Sequence, residues 1–362
     1  MKVLIDIGHP AHVHLFRNMI KEFERNGHDL LVTARDKEFT LSLLDHFKID
    51  YKKRKTNRKG LTSKILGLFY ITWDLYKTQK EFKPDLFIGG AGNAYVALLG
   101  FLTNKPAVVF DDTEHDSQKL FFVKRFANSI VTPDCYQKDL GKKQIRYAGY
   151  HELAYLHPNR FKPNNEVLQK LKSNSSDSYS ILRFVSWEAS HDSGHSGMSL
   201  ENKLNAVKKI SAHSKAYISS ELPLTSDLQP YQFLLEPYAM HDALAFSSLV
   251  FGESATMASE AAVLGIPAIY LDDESRVYTK ELEEKYGLVF NYTESEEDQQ
   301  RAIDKAAELL SSNDQKEEWK LKRNKLLDDK IDVTAFMVWF VENYPKSVRV
   351  MKENPNFQYN FK

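Results

Sequence analysis

The chain has 362 residues, 42% of them hydrophobic, with 49 basic side chains against 49 acidic. That length accommodates two packed domains, that apolar content argues against disorder, and the balanced charge excludes any bulk electrostatic pull toward nucleic acid. The single cysteine, Cys135, excludes an internal disulfide framework and a zinc-ribbon pattern and points to a reducing, cytoplasmic setting.

The opening MKVLIDIGHP reads as a first strand, VLIDI (3–7), because the apolar stretch before Asp6 is too short for a secretory leader. A helix follows on the spacing of Leu15, Phe16, Met19, Ile20 and Phe23, with Gly27 placed for a left-handed C-terminal cap. LLVTA (30–34), DLFIG (85–89), AVVFD (107–111), SIVTP (129–133) and IRYAG (145–149) continue a series of short apolar runs between helix-period segments. That alternation predicts a parallel sheet with helices on both faces. The longest uncharged apolar run, ILGLFYITW (65–73), is well short of the roughly 20 residues that span a bilayer. At 157–178 the composition turns to Pro, Asn and Ser, which predicts a linker between a domain at 1–156 and a second at 179–332. The second domain repeats the alternation, with strands expected in 179–187, 215–221, 247–253 and 267–273 and helices at 199–213, 256–264 and 297–311. The apolar helix at 333–345 must pack on something and is expected to return to the first domain.

Ligands of open α/β sheets sit beyond the carboxyl ends of strands, where helix N-termini offer free N–H groups. IDIGHPAHVHLF (5–16) fits that rule: Gly8 permits a tight turn, and His9 and His12 emerge just past a strand end. Either imidazole suits proton transfer, and equally suits capping the helix. Apart from Asp6, no Cys or carboxylate cluster stands beside them, and no metal site is expected. FGESATMASEAAVLGIPAIYLDD (251–273) also fits, with a turn at Gly252, Glu253, Ser254, Ala255 and Thr256 before a slim alanine-rich helix. Ser254 and Thr256 offer hydroxyls to phosphate, and Glu260, on the same helical face, is expected to point to the site opening and take the two hydroxyls of a ribose. The competing structural reading makes Ser254 an ordinary N-cap and Glu260 a solvated helix residue; a capping box is absent, since Met257 stands where Glu belongs. FDDTEHD (110–116) places Asp111, Asp112 and Glu114 past another strand end, either to orient a histidine or act as base, or only to precede a helix capped by Thr113. In RFVSWEASHDSGHSG (183–197) Arg183 is a candidate to meet a diphosphate and Ser186 belongs to a Ser, Gly and His loop that would close over it; the competing reading is a merely mobile loop with Trp187 in the core.

The pairing of that histidine-bearing turn with GESATMASEAAVLGIPAIYL resembles the GT-B superfamily, in particular the peptidoglycan N-acetylglucosaminyltransferase and the UDP-N-acetylglucosamine 2-epimerases. IDIGHPAHVHLFRNMIKEFERNGHDLLVTARD is closer still to a prokaryotic GT-B-like family described as a domain of unknown function. The resemblance implies an α/β fold of two Rossmann-like domains whose parallel sheets face a central cleft, with a nucleotide-sugar held mainly by the second. It makes Glu260 the ribose ligand, the Ser254–Thr256 turn the diphosphate cradle, and His12 the counterpart of the transferase's glycine-loop histidine. Where the epimerases carry an aspartate after the fourth strand this chain has GGAGNAY (89–95), which disfavours epimerase chemistry.

Lys52 through Lys59 hold six basic residues before a segment bearing Phe69, Tyr70, Trp73 and Tyr76, so 52–82 is a candidate peripheral contact with an anionic membrane on its cytoplasmic face, or else a solvated loop and a core helix. Together these readings predict a metal-independent, cofactor-free glycosyltransferase with a nucleotide-sugar donor and a saccharide or lipid-linked acceptor, serving cell-surface polysaccharide or glycolipid synthesis, with His12 or His9 as base. A nucleotide-sugar hydrolase or 2-epimerase of the same fold is the alternative, and a noncatalytic sugar-nucleotide-binding protein a further one.

Overall fold

In the computed structural model, residues 1–56, 61–114, 117–171, 177–185, 197–274, 276–312 and 316–362 are described, with backbone alone at 61–66 and 117–118. They form two units, 1–160 with 330–362, and 161–329. The first holds β1 (Lys2–Ile7), α1 (Pro10–Arg25), β2 (Asp29–Arg35), α2 (Thr40–His46), β3 (Lys52–Arg54), α3 (Leu61–Phe82), β4 (Leu86–Gly89), α4 (Ala94–Thr103), β5 (Ala107–Phe110), α5 (Ser117–Phe126), β6 (Ser129–Pro133), β7 (Gln144–Tyr147) and α6 (Leu153–Leu156). The second holds α7 (Glu166–Lys170), β8 (Tyr179–Phe184), α8 (Leu200–Ser211), β9 (Lys215–Ser220), α9 (Met240–Ala245), β10 (Leu249–Gly252), α10 (Ala255–Leu264), β11 (Ala268–Leu271), α11 (Val277–Glu284), β12 (Val289–Tyr292), α12 (Glu296–Ser311) and α13 (Lys316–Asp329). The chain then returns to the first unit as α14 (Val333–Glu342) and α15 (Lys346–Glu353).

Both sheets are parallel, ordered β3-β2-β1-β4-β5-β6-β7 and β12-β11-β10-β8-β9. In the first, the chain steps outward from β1 to β3 and then restarts on the other side of β1, so the order reverses between β1 and β4. In the second it reverses between β8 and β10. At such switch points two successive strand-end loops diverge and leave a crevice. The loops there are Gly8–His9 and Gly90–Asn93 in one unit, and in the other Val185 after β8 and Glu253–Ser254 after β10.

Beyond the exposed Lys2 that opens β1, the central strands are apolar and buried, as doubly covered parallel strands must be. Asp6 is the exception in β1: it is wholly buried, and its carboxylate takes Arg54 Nε at 2.8 Å, the Thr33 hydroxyl at 2.8 Å and Asn93 Nδ2 at 2.9 Å. Asn93 meanwhile caps α4, accepting the Val96 amide. One buried carboxylate thus ties β1, β2, β3 and the start of α4 together.

The edge strands β3 and β12 escape the sequence reading, because KKR and VFNY carry no apolar run or clean alternation. The segment read as a linker is largely structured: Arg160 pairs with Glu22 and Asp332 in the first unit, and α7 belongs to the second. Gly27, at φ 76°, and Gly265, at φ 81°, end α1 and α10 in the left-handed conformation that glycine adopts without strain. α14 buries Val333, Phe336, Met337, Phe340 and Val341, and packs on α1 and α6.

Candidate functional site

At the β1–β4 switch point, α1 begins one residue after His9, earlier than the apolar spacing suggests. His9 is its N-cap: the backbone is extended and Nδ1 accepts the Ala11 amide at 3.2 Å, with Pro10 opening the helix. His12 lies on the first turn, and its Nδ1 accepts the Gly8 amide at 3.3 Å. Its ring rests on Gly90, where a Cβ would come within 2.6 Å. GGAGNAY is therefore the surface that receives His12, and it contains no side chain at 90 because none fits.

Burial lowers both imidazoles to a pKa of about 3, aided at His9 by Lys37, Arg35 and Lys119 and at His12 by His9 and His151. Both are neutral at physiological pH. Since the backbone amides occupy Nδ1, the ring proton sits on Nε2 in each. In both residues expected to act as base, the ring lone pair is thus already taken by a backbone N–H at the start of α1. His14 does not join them; it packs between Phe47 and Tyr155.

The basic group comes from elsewhere. Beyond β5, Asp111 accepts the amides of Gly92 and Thr113, and its carboxyl is pushed by burial up to about 6. Asp112 accepts the Thr113 hydroxyl at 3.1 Å and His151 Nδ1 at 2.9 Å. Burial opposes its charge, but His151, Thr113 and His12 outweigh burial and hold it at about 2. His151, between β7 and α6, is correspondingly raised above its ordinary value: burial lowers it, and the Asp112 charge and hydrogen bond more than compensate. Its Nε2 is buried and has no partner among the described residues. An imidazole whose Nδ1–H is held by a carboxylate while Nε2 stays open is arranged to exchange a proton at Nε2.

His151 was missed in the sequence, although the signal was present: it stands two residues past IRYAG, a recognised strand end, as His9 stands two residues past VLIDI. Glu114 leaves the site instead of joining it. It is buried, accepts the Gln137 amide through Oε1, and so fastens the chain beyond β6. Thr113 is not the cap of α5, which starts at Ser117.

In the second unit, Ser254 caps α10 by accepting the Met257 amide at 3.3 Å, the structural reading of that serine. The amides of Ala255 and Thr256 have no partner among the described residues, and both residues are partly exposed. They are the open donors of a helix start, where anions are favoured. Gly252, at φ 143°, serves strand packing: a Cβ there would lie 2.0 Å from the Arg183 carbonyl oxygen. Glu253 is buried and binds backbone, not ligand, taking the amides of Val185 at 2.9 Å and Met198 at 2.6 Å, with Lys203 3.5 Å away. Arg183 is engaged along the sheet by Ser219 and Glu221. Glu260 points inward, only 5% exposed, and pairs with His241 at 2.9 Å, so neither the solvated nor the open ribose-facing position holds. Ser186 lies outside the described residues.

A family profile described as a protein of unknown function, DUF354, matches residues 1–344. The uncharacterized protein MJ0665 of Methanocaldococcus jannaschii is 24% identical over 321 residues, covering 81% of this chain and 91% of the archaeal one. Among solved structures, the UDP-GlcNAc 2-epimerase from Neisseria meningitidis bound to UDP-GlcNAc aligns with a TM-score of 0.64 at 16% identity, over 88% of this chain and 94% of its own. The spinosyn rhamnosyltransferase SpnG complexed with thymidine diphosphate aligns with a TM-score of 0.64 at 13% identity, over 95% and 100%. The fold is the α/β architecture of the GT-B glycosyltransferases and epimerases, with two parallel sheets.

Proposed function

The chain belongs to the DUF354 family, and from that premise we propose that it is a nucleotide-sugar-dependent glycosyltransferase in which His151, oriented by Asp112, takes the proton of the acceptor hydroxyl. The observation that carries this reading is the buried Nε2 of His151, which has no partner among the described residues, on an imidazole whose other nitrogen is fixed by a carboxylate. The acceptor oxygen bonds to the anomeric carbon, the bond from that carbon to the diphosphate breaks, and its electron pair leaves on the phosphate. Within the second unit, the amides of Ala255 and Thr256, with the dipole of α10, make a helix start suited to a diphosphate. The Nε2–H groups of His9 and His12 supply neutral donors to sugar or acceptor oxygens. The nucleotide-diphosphate ligands of the structural neighbours support a donor of this class. Cell-surface polysaccharide or glycolipid synthesis is the process we assign to it.

Purified protein incubated with UDP- and dTDP-sugars, with and without a saccharide acceptor, tests the reading. Donor consumption that requires acceptor is expected; rapid nucleotide release or sugar isomerisation without acceptor would establish the hydrolase or epimerase alternative. His151→Gln should lower turnover by roughly 10²- to 10⁴-fold at little change in donor KM. Because the reacting form is the neutral imidazole, kcat/KM should rise with pH through a value above 6.5, and Asp112→Asn should move that limb toward lower pH. A His151 variant of undiminished turnover overturns the assignment.

A further inference from the structure

α3, α4 and α5 lie side by side on one face of the first sheet. Phe69, Tyr70, Trp73, Phe101, Leu102 and Phe121 project from this row, every one between 52% and 65% exposed. Phe101 and Phe121 are joined by a run of ring contacts. Phe101 meets Phe126 at 5.0 Å, Phe126 meets Phe122 at 6.3 Å, and Phe122 meets Phe121 at 5.6 Å, carrying the aromatic row from α4 onto α5. Leu68 of α3 joins Ala94 and Leu98 of α4 beneath it, with Phe122 and Phe126 packed against them. Scattered exposed apolar side chains need no explanation; six large ones gathered on three adjacent helices do.

The charge around them says what covers the surface. Among the described side chains of the three helices, Lys77, Lys80, Lys119, Lys124 and Arg125 are basic and only Asp74 and Glu81 acidic, both on α3. The cations sit at the aromatic rims: Lys55 lies 4.6 Å from the Tyr70 ring, Lys77 6.0 Å from Trp73, Lys80 4.9 Å from Tyr76 and Arg125 5.7 Å from Phe126. A groove of about 240 Å³ between β3 and α3 adds Lys52 and Lys53 at the edge of the patch, though it is also lined by Asp74 and Glu81, and Lys52 pairs with Glu81 and Lys53 with Asp36. Aromatic side chains with flanking lysines match the boundary of an anionic bilayer, rings at headgroup depth and ammonium groups among phosphates. A second copy of this face would instead set like charge against like.

We propose that the exposed face of α3, α4 and α5 docks the protein on an anionic lipid bilayer. The surface extends the segment flagged in the sequence at 52–82 onto two further helices; of the six cations expected in 52–59, Arg54 is buried on Asp6, and Arg58 and Lys59 lie outside the described residues. Docking does not depend on the proposed donor chemistry and is measured without any nucleotide-sugar.

The test is co-sedimentation of the full chain with vesicles of phosphatidylcholine alone and of phosphatidylcholine mixed with phosphatidylglycerol. Binding to the mixed vesicles and not to the neutral ones is expected, weakening as salt is raised. Lys77→Gln and Lys80→Gln together should weaken it by about 25-fold, since each surface cation contributes roughly fivefold. Trp73→Ala with Phe121→Ala should weaken it at least about tenfold while leaving the thermal transition in place. Three results overturn the proposal: no binding to either vesicle, binding unchanged in both variants, or a concentration-dependent dimer in light scattering that the aromatic variant dissolves.

Discussion

The assignment of His12 as a neutral donor has a consequence for stability that can be measured without knowing any substrate. Burial first, then His9 and His151, lower its pKa from 6.5 to about 3. Between those values the unfolded chain binds a proton that the folded chain refuses. The contribution of the neutral imidazole is therefore complete above pH 6.5 and is lost as pH falls toward about 3, at about 1.4 kcal/mol per pH unit. His12→Asn keeps an oxygen able to accept the Gly8 amide and does not titrate. Urea unfolding of both proteins at about pH 7.5 and about pH 5 should show wild type losing about 2 kcal/mol relative to the variant. The titrations of His9, Asp111 and His151 are common to both chains and largely cancel in the difference, and the transition that shifts identifies the first unit. Nitrogen-15 spectra of the labelled imidazole should report the Nε2–H tautomer throughout. An unchanged gap between the two pH values would mean that the ring is solvated and that its contact with Gly90 is wrong.

Two further predictions concern the frame beneath the site. Gly90→Ala places a methyl group within 2.6 Å of the His12 ring; overpacking of this kind costs about 1–3 kcal/mol, so the first unit should melt earlier and the neutral His12 signature should weaken. Arg54→Met leaves Asp6 charged and buried without its cation. The expected loss is about 3–5 kcal/mol by urea unfolding, and a loss below about 1 kcal/mol would show that water reaches Asp6.

Much of the architecture was legible because parallel strands covered on both faces must be near-continuous apolar runs, and LFIG, AVVF and LVFG are, as is VLIDI but for Asp6. Edge strands are under no such demand, and KKR shows it: one residue of the three is buried, for an ion pair. At the site, sequence identified the strand ends but not the direction of side chains. His9 and His12 were found, yet their protonation is set by which nitrogen meets a backbone amide, a three-dimensional fact. Asp112 was found without its partner, because His151 is brought to it by the sheet and not by sequence proximity. Glu260 illustrates the same limit in the second unit. Helical periodicity places it on the face of Thr256, but the packing of α9 on α10 presents His241 to it and draws it inside.

Glu253 offers a sharper separation of binding from support. A carboxylate beside Ser254 reads as a ligand contact in sequence; in the structure its two oxygens close the β8–β10 switch point by holding the Val185 and Met198 amides. Burial raises its pKa, and Lys203 with those two amides pulls the other way. Glu253→Gln preserves shape but offers one oxygen where two are needed, and turns an NH2 group toward an amide donor. One backbone N–H is left unpaired, which costs about 1–3 kcal/mol, read as a lower melting temperature of the second unit. The raised pKa gives the sign of the pH dependence: a protonated carboxyl is favoured in the folded state, so wild type should gain on Glu253→Gln as pH falls through that value toward 4.5. Nucleotide affinity should fall only as far as the start of α10 is loosened, and the loss should be recovered in kind by any stabilising change elsewhere in that unit. A variant that melts as wild type does yet no longer binds nucleotide would reverse the assignment and return Glu253 to the ligand.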